Sequence, residues 1–313
     1  MKIEIIGAES LGVRGLCCVV ETKDRKIVID PGVALGYSRH GLLPHPVQVA
    51  VAERVKVAIE KALGDATDVV ISHYHGEHHP MVNANPHQLS ADRVAELLKH
   101  PRLWAKGMQN VAPVQVHRAK GLAQKVGRAF PASEGLSDGC LSFSPPIPHG
   151  QQDRGGTVMM TRIEEEKEVF VHASDIQMLN DEAIEQILVW HPTMVLASGP
   201  PIYLPSLTWR KREAALRRTL MVAREVNTLI LDHHLLRSRK GEKWLDWVSS
   251  ITNHKVICAA DFMGRNRNLL EADRVSWYKK SSVPEGWHEV YSKGEADTKA
   301  CQAKFWKACA FEA

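Results

Sequence analysis

The sequence lacks the features that would place it in a membrane or in an oxidising compartment. Its apolar runs span only a handful of residues, far short of the roughly 20 that cross a bilayer. Because the first residues already follow a strand-like pattern, we expect no signal peptide. No CxxC pair occurs among its six cysteines, a pattern that favours a reducing compartment. We therefore expect a soluble, cytoplasmic chain in which the adjacent thiols of Cys17 and Cys18 are packed in a core.

A strong charge of either sign is also missing. The 313 residues carry a formal net charge of +4 and are 24% charged and 44% hydrophobic, as in ordinary folded proteins. This mild basic excess does not indicate a nucleic-acid partner unless the basic residues cluster on one face. No low-complexity tract or repeat is present, and the length allows a sizeable core. Composition therefore leaves the function open.

Alternating strand and helix patterns predict an α/β fold. Apolar residues at every fourth position predict a helix at 47–63 that leads into a strand at 68–71. Scattered proline and glycine, with helix candidates at 91–99 and 119–126, predict a helical insertion at about 83–131. Three further strands are predicted before these elements, at residues 2–6, 15–21 and 26–30.

The second half repeats this alternation more regularly. A hairpin is predicted around the charged turn at 164–167, and Asn180 is predicted to cap a helix that reaches about residue 190. Strands are then predicted at 193–198, 228–232 and 255–259, and helices at 208–224, 242–250 and 266–272. Two β-rich halves with helices on their outer sides predict packed sheets within a single domain over residues 1–313.

The stretch ISHYHGEHHP gathers four histidines and a glutamate directly behind the apolar run Val69-Val70-Ile71. His73 and His75 are two residues apart, so in extended backbone both imidazoles project from one face and can bind one ion. Glu77 and His78 follow Gly76, and a turn there would bring them back toward a second ion. The spacing predicts two adjacent metals.

Further candidate ligands stand at predicted strand ends, where a rigid scaffold presents reactive side chains. They are His149, Asp175 and the run Asp232-His233-His234. Histidine and carboxylate without cysteine are unlike a closed structural zinc site and are typical of a catalytic site that keeps a position for water. Such a metal lowers the pKa of bound water to about 7, so hydrolysis is the expected use. The isolated residues His45, His87, His117 and His254 are interpreted as loop or core histidines.

The order of these pieces resembles the metallo-β-lactamase-fold superfamily, whose HxHxDH motif stands here as HYHGEH. The combination of ESLGVRG, IDPGVALG, SHYHGEHH, SGPP and LDHHLLR is more closely similar to a mainly archaeal branch of predicted metal-dependent hydrolases. The resemblance implies an αββα sandwich with the site at one edge between the sheets. It also implies a bridging aspartate and two ligand sets: Asp175 as the bridge, His73, His75 and His149 for the first ion, and Glu77, His78 and His233 for the second.

Three positions keep alternatives open. Glu77 stands where the superfamily has aspartate, and the extra methylene puts the second ion in question. Asp30 in IVIDPG either forms a turn or orients a ligand histidine, and it is counted with Asp175 among the catalytic candidates. His233 is preferred over His234 because it directly follows the last residue of its strand.

Three functions compete. The first is a metal-dependent hydrolase that uses metal-bound hydroxide on a small ester, lactone or phosphoester, with Asp175 positioning it. The second is a nucleic-acid phosphodiesterase, which requires the basic helix TWRKREAALRR to face the metal site. The third is a sensor or scaffold that metal only stabilises. Zinc is the expected cofactor, as one or two ions, with iron and manganese as alternatives. A small-molecule substrate is the expected partner, and the sequence does not indicate an oligomeric state.

Two further segments bear on the substrate. The loop at residues 33–46 carries Tyr37, Arg39 and His40, and it either contacts substrate or is an irregular connection stiffened by its prolines. Arg265 and Arg267 stand at a predicted helix start, where a phosphate could bind. Trp244 and Trp247, three residues apart, are expected in the core rather than at an interface.

Overall fold

Two β-sheets organise the chain. The computed structural model describes residues 1–150 and 156–296, so Cys301 and Cys309 lie outside the described residues. The first sheet has the strand order β1-β2-β3-β4-β5. Its strands are β1 (Lys2–Gly7), β2 (Cys17–Glu21), β3 (Lys26–Ile29), β4 (Asp68–Ile71) and β5 (Arg102–Ala105). β1 to β3 pair antiparallel, and β3 to β5 pair parallel.

The second sheet is built from the later half of the chain. The remaining strands are β6 (Ser137–Asp138), β7 (Leu141–Phe143), β8 (Ile147–Pro148), β9 (Thr157–Val158), β10 (Thr161–Glu165), β11 (Glu168–Ala173), β12 (Met194–Ala197), β13 (Thr228–Leu231) and β14 (Val256–Ile257). The sheet order is β14-β13-β12-β11-β10-β7-β6, and β11 to β14 are parallel. β8 and β9 form a separate two-stranded pair.

Helices connect the parallel strands and cover the sheets. They are α1 (Pro46–Leu63), α2 (Ala91–Val94), α3 (Pro113–Val126), α4 (Asp181–Val189), α5 (Trp209–Glu225), α6 (Arg239–Ile251), α7 (Ala259–Phe262), α8 (Arg274–Lys280) and α9 (Trp287–Ser292). Single 3₁₀ turns lie at Glu9–Leu11 and Leu97–Lys99. None of the helices in the described part of the chain combines the length and the hydropathy that crossing a membrane requires.

The first sheet is buried on both faces, because successive side chains along its strands pack into two different cores. Cys18 packs into the core that lies between the sheets, whereas the neighbouring Cys17 packs into a second core beneath α1 and α3. Both thiols are fully buried, as expected from the sequence. The same continuous core extends to residues of α4, α5 and α6, which cover the second sheet. The layers therefore run helix, sheet, sheet, helix, which confirms the predicted αββα fold.

The segment at 83–131 contains more than the helices expected from it. Its strand β5 pairs with β4 and completes the first sheet. Its helix α3 braces the loop after β4, because the Arg118 guanidinium donates to the Tyr74 carbonyl at 3.1 Å. This segment therefore supports the candidate site from the side, and its status as an insertion stays a prediction.

The predicted helix at 266–272 is wrong. Leu269 packs into the inter-sheet core while the adjacent Leu270 packs into the core beneath α1, and a continuous helix would place consecutive side chains only about 100° apart. The Asn268 amide instead donates to the Ser10 carbonyl at 2.7 Å. The sequence also suggested that a phosphate could bind at the start of that helix. Arg267 instead pairs with Asp246 at 2.6 Å and Asp261 at 2.7 Å, and phosphate binding there stays a prediction.

One tryptophan also departs from its expectation. Trp244 packs against the inter-sheet core, but Trp247 is 47% exposed on α6. The two residues are three apart and lie on one side of the helix, yet only the side chain nearer the sheet is covered.

Candidate metal centre

Residues that follow four strand ends meet at one edge of the two sheets. Asp30 follows β3, His73 follows β4, Asp175 follows β11 and His233 follows β13. Asp30, Asp175 and His233 have positive φ angles of 50°, 56° and 32°, so the chain turns sharply at each of them. Such backbone conformations are uncommon for residues other than glycine and cluster at functional sites. The turns bring the candidate ligands from both halves of the chain together.

One oxygen of Asp175 faces the first group of candidate ligands. Its Oδ2 atom lies 3.2 Å from His73 Nε2 and 3.1 Å from His75 Nδ1, and the two ring nitrogens are 3.0 Å apart. His149 Nε2 lies farther away, at 3.8 Å from the same oxygen. Ligands held tetrahedrally at 2.0–2.1 Å from zinc are about 3.3–3.4 Å from one another. The spacing of the three nearest atoms therefore fits ligands of one ion.

The other oxygen of Asp175 faces a second group. Its Oδ1 atom lies 3.3 Å from His78 Nε2, 3.1 Å from His234 Nε2 and 3.5 Å from His233 Nε2. Asp175 is fully buried, and its amide donates to Ser198 Oγ at 2.9 Å. The carboxylate is thus positioned between two groups of imidazoles, as a bridging ligand would be.

Several of these ring nitrogens have no other partner. Nε2 of His78, Nε2 of His234 and both ring nitrogens of His149 are buried without a hydrogen bond. A buried polar atom without a partner is costly, and exceptions of this kind point to an ion or a water. Because the atoms without partners surround a carboxylate and belong to residue types that bind zinc, iron and manganese, the residues present fit a divalent ion.

Asp30 lies behind the candidate ligands and holds two of them in place. Its Oδ2 atom is 3.1 Å from His78 Nδ1 and accepts a hydrogen bond from Ser72 Oγ at 2.7 Å. Ser72 Oγ in turn lies 2.8 Å from His73 Nδ1. Burial raises the pKa of Asp30, but the hydrogen bond and charge of His78 outweigh it and hold that pKa below its usual range. Asp30 is therefore placed to position His78 and His73, and it combines this role with the turn that the sequence also suggested.

The charges of the histidines are set by burial and by the two aspartates. Burial and, after it, the nearby charge of His78 lower the pKa of His73 to about 3. His78 has the opposite shift: burial lowers its pKa, but Asp175 and Asp30 outweigh burial and raise it to about 10. Burial opposes the charge of Asp175, yet His234 and His78 hold its pKa well below the ordinary value. Without an ion, His78 thus supplies the positive charge between the two aspartates.

Glu77 does not join the group around Asp175 as closely as the motif predicts. Its Oε1 atom is 3.3 Å from the Arg237 guanidinium and 3.8 Å from His233 Nε2. Burial raises the pKa of Glu77, but the charge of Arg237 outweighs it and lowers the pKa to about 2. Arg237 also lies 2.7 Å from His233 Nε2 and donates to Glu9 Oε1 at 3.0 Å.

The remaining candidates lie elsewhere. The ring of His45 caps α1 by accepting from the Val47 amide, His87 stacks on Tyr291, and His117 is exposed on α3. In the loop at 33–46, Arg39 is 3.3 Å from Glu271 and donates to the Arg237 carbonyl, so this loop reaches the turn that follows β13.

Sequence reasoning assigned no role to Ser72, Ser198 or Arg237. Each stands inside a motif that the sequence analysis quoted, Ser72 in SHYHGEHH, Ser198 in SGPP and Arg237 in LDHHLLR. The available signal was their place in these motifs, but their contacts depend on turns that a residue pattern does not specify.

Comparison with known proteins identifies the relatives of the chain. No family model matches it. A UPF0282 protein of Methanosarcina mazei is 51% identical over 297 residues, which cover 95% of this chain and 98% of that protein. UPF0282 proteins of Pyrococcus furiosus and Methanocaldococcus jannaschii are 32% and 34% identical, over 88% of this chain and 91% and 95% of theirs.

Among solved structures, an isothiocyanate hydrolase from Delia radicum gut bacteria matches with a TM-score of 0.48 and 16% identity, over 82% of this chain and 96% of that one. A metal-dependent hydrolase of the beta-lactamase superfamily has the same TM-score at 13% identity, over 82% of this chain and 94% of that one. The archaeal relatives agree with the branch expected from the motifs. By its identity to them along almost its whole length, the chain belongs to the UPF0282 protein family.

Proposed function

We propose that this chain is a metal-dependent hydrolase that holds two divalent ions, with zinc preferred over iron or manganese. The observation that carries the proposal is Asp175, whose two carboxylate oxygens each face imidazole nitrogens at 3.1 to 3.3 Å. The set contains no thiolate, unlike closed structural zinc sites. When bound by such ligands, zinc lowers the pKa of a water molecule to about 7 and polarises a carbonyl or phosphoryl oxygen.

The residues of the chain supply positioning. Ser198 Oγ, which accepts from the Asp175 amide, lies 3.3 Å from Oδ1 and steadies the carboxylate. Asp175 can therefore orient a nucleophilic water without changing its own direction. The His75 side chain is 29% exposed, whereas that of His73 is fully buried. We infer that substrate approaches from the side of His75 and His149.

We propose a small ester, lactone or phosphoester as the substrate, because a site that activates water and polarises a carbonyl or phosphoryl oxygen suits these bonds. The phosphodiesterase alternative receives less support, because two of the basic side chains on α5 are already paired: Arg217 with Glu213 at 3.1 Å and Arg218 with Asp181 at 2.6 Å. The sensor alternative would leave metal bound without hydrolysis and is decided by the same experiment.

We also propose that residues 1–313 form one domain in a reducing, cytoplasmic setting. The inter-sheet core joins residues from both halves of the chain, such as Ile5 and Leu245, which supports a single folding unit. The four cysteines among the described residues, Cys17, Cys18, Cys140 and Cys258, are all free thiols.

The test combines metal analysis with substrate screening. Protein purified without chelator should contain two equivalents of transition metal and hydrolyse at least one member of a panel of esters, lactones and phosphodiesters. His75→Ala and Asp175→Ala should each lose metal and lower the activity at least 100-fold, because each removes a side chain that contacts other candidate ligands. The circular dichroism spectrum of both variants should stay native. His117→Ala, on the exposed face of α3, should keep both. Full metal content in the first two variants would refute the site, and metal without hydrolysis would favour the sensor.

A further inference from the structure

A buried arginine lies among the groups that the resemblance assigns to the second ion. Arg237 follows β13 and is only 7% exposed. Its Nη2 atom is 2.7 Å from His233 Nε2 and 3.3 Å from Glu77 Oε1, and its Nε atom is 3.0 Å from Glu9 Oε1. A guanidinium is always charged and has only donors. Arg237 therefore competes with a metal ion for both Glu77 and His233.

The hydrogen-bond chemistry of His233 shows which competitor succeeds. Its Nδ1 atom faces the Gly15 amide at 3.3 Å, and its Nε2 atom faces Arg237, so both ring nitrogens face donors. A neutral imidazole has a single lone pair. If the lone pair is on Nε2, Arg237 occupies it. If it is on Nδ1, Nε2 carries a hydrogen and cannot bind a metal. In either tautomer His233 Nε2 is not available to an ion.

The neighbouring histidine has the opposite surroundings. His234 Nε2 is 3.1 Å from Asp175 Oδ1 and is buried without a hydrogen bond. His78 Nε2 lies 3.3 Å from the same oxygen and likewise has no hydrogen bond. Its other nitrogen faces Asp30 at 3.1 Å, so when an ion displaces the Nε2 proton, the lone pair of Nε2 is directed at the position between Asp175 and His234.

We propose that Arg237 keeps Glu77 and His233 out of the second ion's ligand set, and that His78, Asp175 and His234 hold this ion. The inference rests on the proposed function, because it presupposes a second ion. It also explains the glutamate in the HxHxDH motif: the longer side chain reaches Arg237, where an aspartate would be directed at the ion. Three protein ligands leave a position open for water or substrate.

The guanidinium charge has a further consequence for affinity. Arg237 stays beside the second position as a fixed positive charge and repels a divalent ion there. The first ion, on the far side of Asp175, should therefore bind more tightly than the second.

The adjacent histidines provide a matched test. His233→Ala and His234→Ala should be dialysed against excess zinc, and the bound zinc measured by elemental analysis and by competition with a chromophoric chelator. We expect His234→Ala to lose one equivalent, or to weaken the second dissociation constant by at least tenfold. His233→Ala should keep two equivalents within a factor of about three. Loss in His233→Ala, equal loss in both, or loss in neither would overturn the assignment.

Two further variants test the role of Arg237. Glu77→Gln should keep two equivalents, because Glu77 is not a ligand in this arrangement, and loss of the second equivalent would overturn the proposal. Arg237→Gln should bind the second ion about tenfold more tightly, since Glu77 and His233 are released and a positive charge is removed. Arg237→Lys keeps that charge and serves as the control. An Arg237→Gln variant with unchanged or weaker zinc affinity would contradict the proposal, and the Glu77→Gln result stands even if Arg237→Gln does not fold.

Metal binding and the contact between Arg237 and Glu77 can fail separately. Wild-type protein that binds no divalent ion would overturn both it and the second ligand set. The contact between Arg237 and Glu77 is tested apart from metal by thermal unfolding in chelator. Glu77→Gln should lower the Tm of metal-free protein by several degrees, and an unchanged Tm would refute the contact.

Discussion

At the residue scale, a single carboxylate behind the ligands sets the direction of two imidazoles. Asp30 contacts His78 Nδ1 directly and reaches His73 through Ser72. Partners of this kind fix the tautomer and the orientation of a metal-binding histidine, and their loss typically weakens metal affinity by 10–100-fold. Asp30 is therefore important for binding although it lies outside the ligand groups around Asp175.

Asp30→Asn should weaken zinc affinity by about 10–100-fold while the fold is retained, because an amide keeps the shape of the side chain but loses its charge. Competition with a chelator measures the effect. Asp68→Asn is the matched control, since Asp68 is equally buried at the other end of β4 and contacts Arg102 and Trp104 instead. It should lower the Tm and leave zinc affinity unchanged. Equal losses of affinity in both variants would mean that Asp30 acts through stability alone.

The sequence predicted which residues lie close together, but it did not predict the side-chain directions of Glu77, His233 and His234. The HYHGEH spacing correctly indicated that His73, His75 and His78 lie together. The choice between His233 and His234 depends on a positive φ at residue 233, and the position of Glu77 depends on an arginine four residues beyond that histidine. Such turns and long-range pairs are set by tertiary packing, which a local pattern does not contain.

At the scale of elements, a glycine lets two loops of the site approach each other. A Cβ atom on Gly32, in the turn after β3, would lie 2.2 Å from the His79 amide nitrogen and 2.4 Å from the His78 carbonyl carbon. These neighbours are backbone atoms and cannot rotate away. The absence of a side chain at Gly32 therefore fixes how closely the turn at Asp30 can hold the loop that carries His78.

Gly32→Ala should push these two loops apart and lengthen the contact between Asp30 and His78. We expect at least a tenfold loss of zinc affinity and a Tm lowered by several degrees, measured by chelator competition and thermal unfolding. Gly121→Ala is the control: its added Cβ would meet Val82 at an ordinary 3.6 Å, and alanine favours the helix α3. It should be neutral or slightly stabilising. A Gly32→Ala variant with native affinity would show that the loops can separate without cost.

Most helices and strands could be predicted, because the spacing of apolar residues and the helix-capping residues agree with the observed packing. The helix α1 follows from apolar residues at every fourth position, and α4 begins at the predicted cap Asn180, whose side chain accepts from the Ala183 amide. The failure at 266–272 has a physical cause: this segment bridges two cores and directs Leu269 and Leu270 to opposite sides. Periodicity assumes that an element faces one core.

At the scale of the whole molecule, buried neutral histidines make stability depend on pH. Burial is the main cause that lowers the pKa of His73 to about 3, and those of His79, His87 and His234 to about 4. The unfolded chain protonates such groups near pH 6.5. As pH falls from 6.5 to 4, protons therefore bind the unfolded state more than the folded state, and the free energy of unfolding decreases.

Three other shifted groups do not reverse this direction. His78, with its pKa of about 10, is protonated in the folded state throughout this range, and the unfolded histidine also becomes protonated below pH 6.5, so His78 adds little slope toward pH 4. Burial raises the pKa of Glu9 to about 8 and also raises the pKa of Asp232, so the folded state holds protons on these carboxyls that the unfolded state lacks. These two carboxyls oppose four histidines, so the net effect remains a loss of stability toward acid.

Urea unfolding of chelator-treated protein should therefore show a midpoint that falls steadily between pH 6.5 and 4. Zinc-loaded protein should start higher and fall more steeply, because protons displace the ion from its ligands. His87→Gln, which is remote from the ligands, should reduce the slope in metal-free protein. A midpoint that is constant across this range would show that these histidines are protonated in the folded state.

The site joins parts of the chain that are distant in sequence, and this gives a bound ion a mechanical role. Asp175 lies against His73 from the first sheet and His234 from the second. An ion held by His73 and Asp175 would cross-link parts of the chain that are on the order of 100 residues apart, for which the chain-entropy estimate is about 4–5 kcal/mol. The cysteines among the described residues are unpaired and provide no such link. The ion would then do for this chain what disulfides do for secreted proteins, and a chelator, rather than a reductant, would open it.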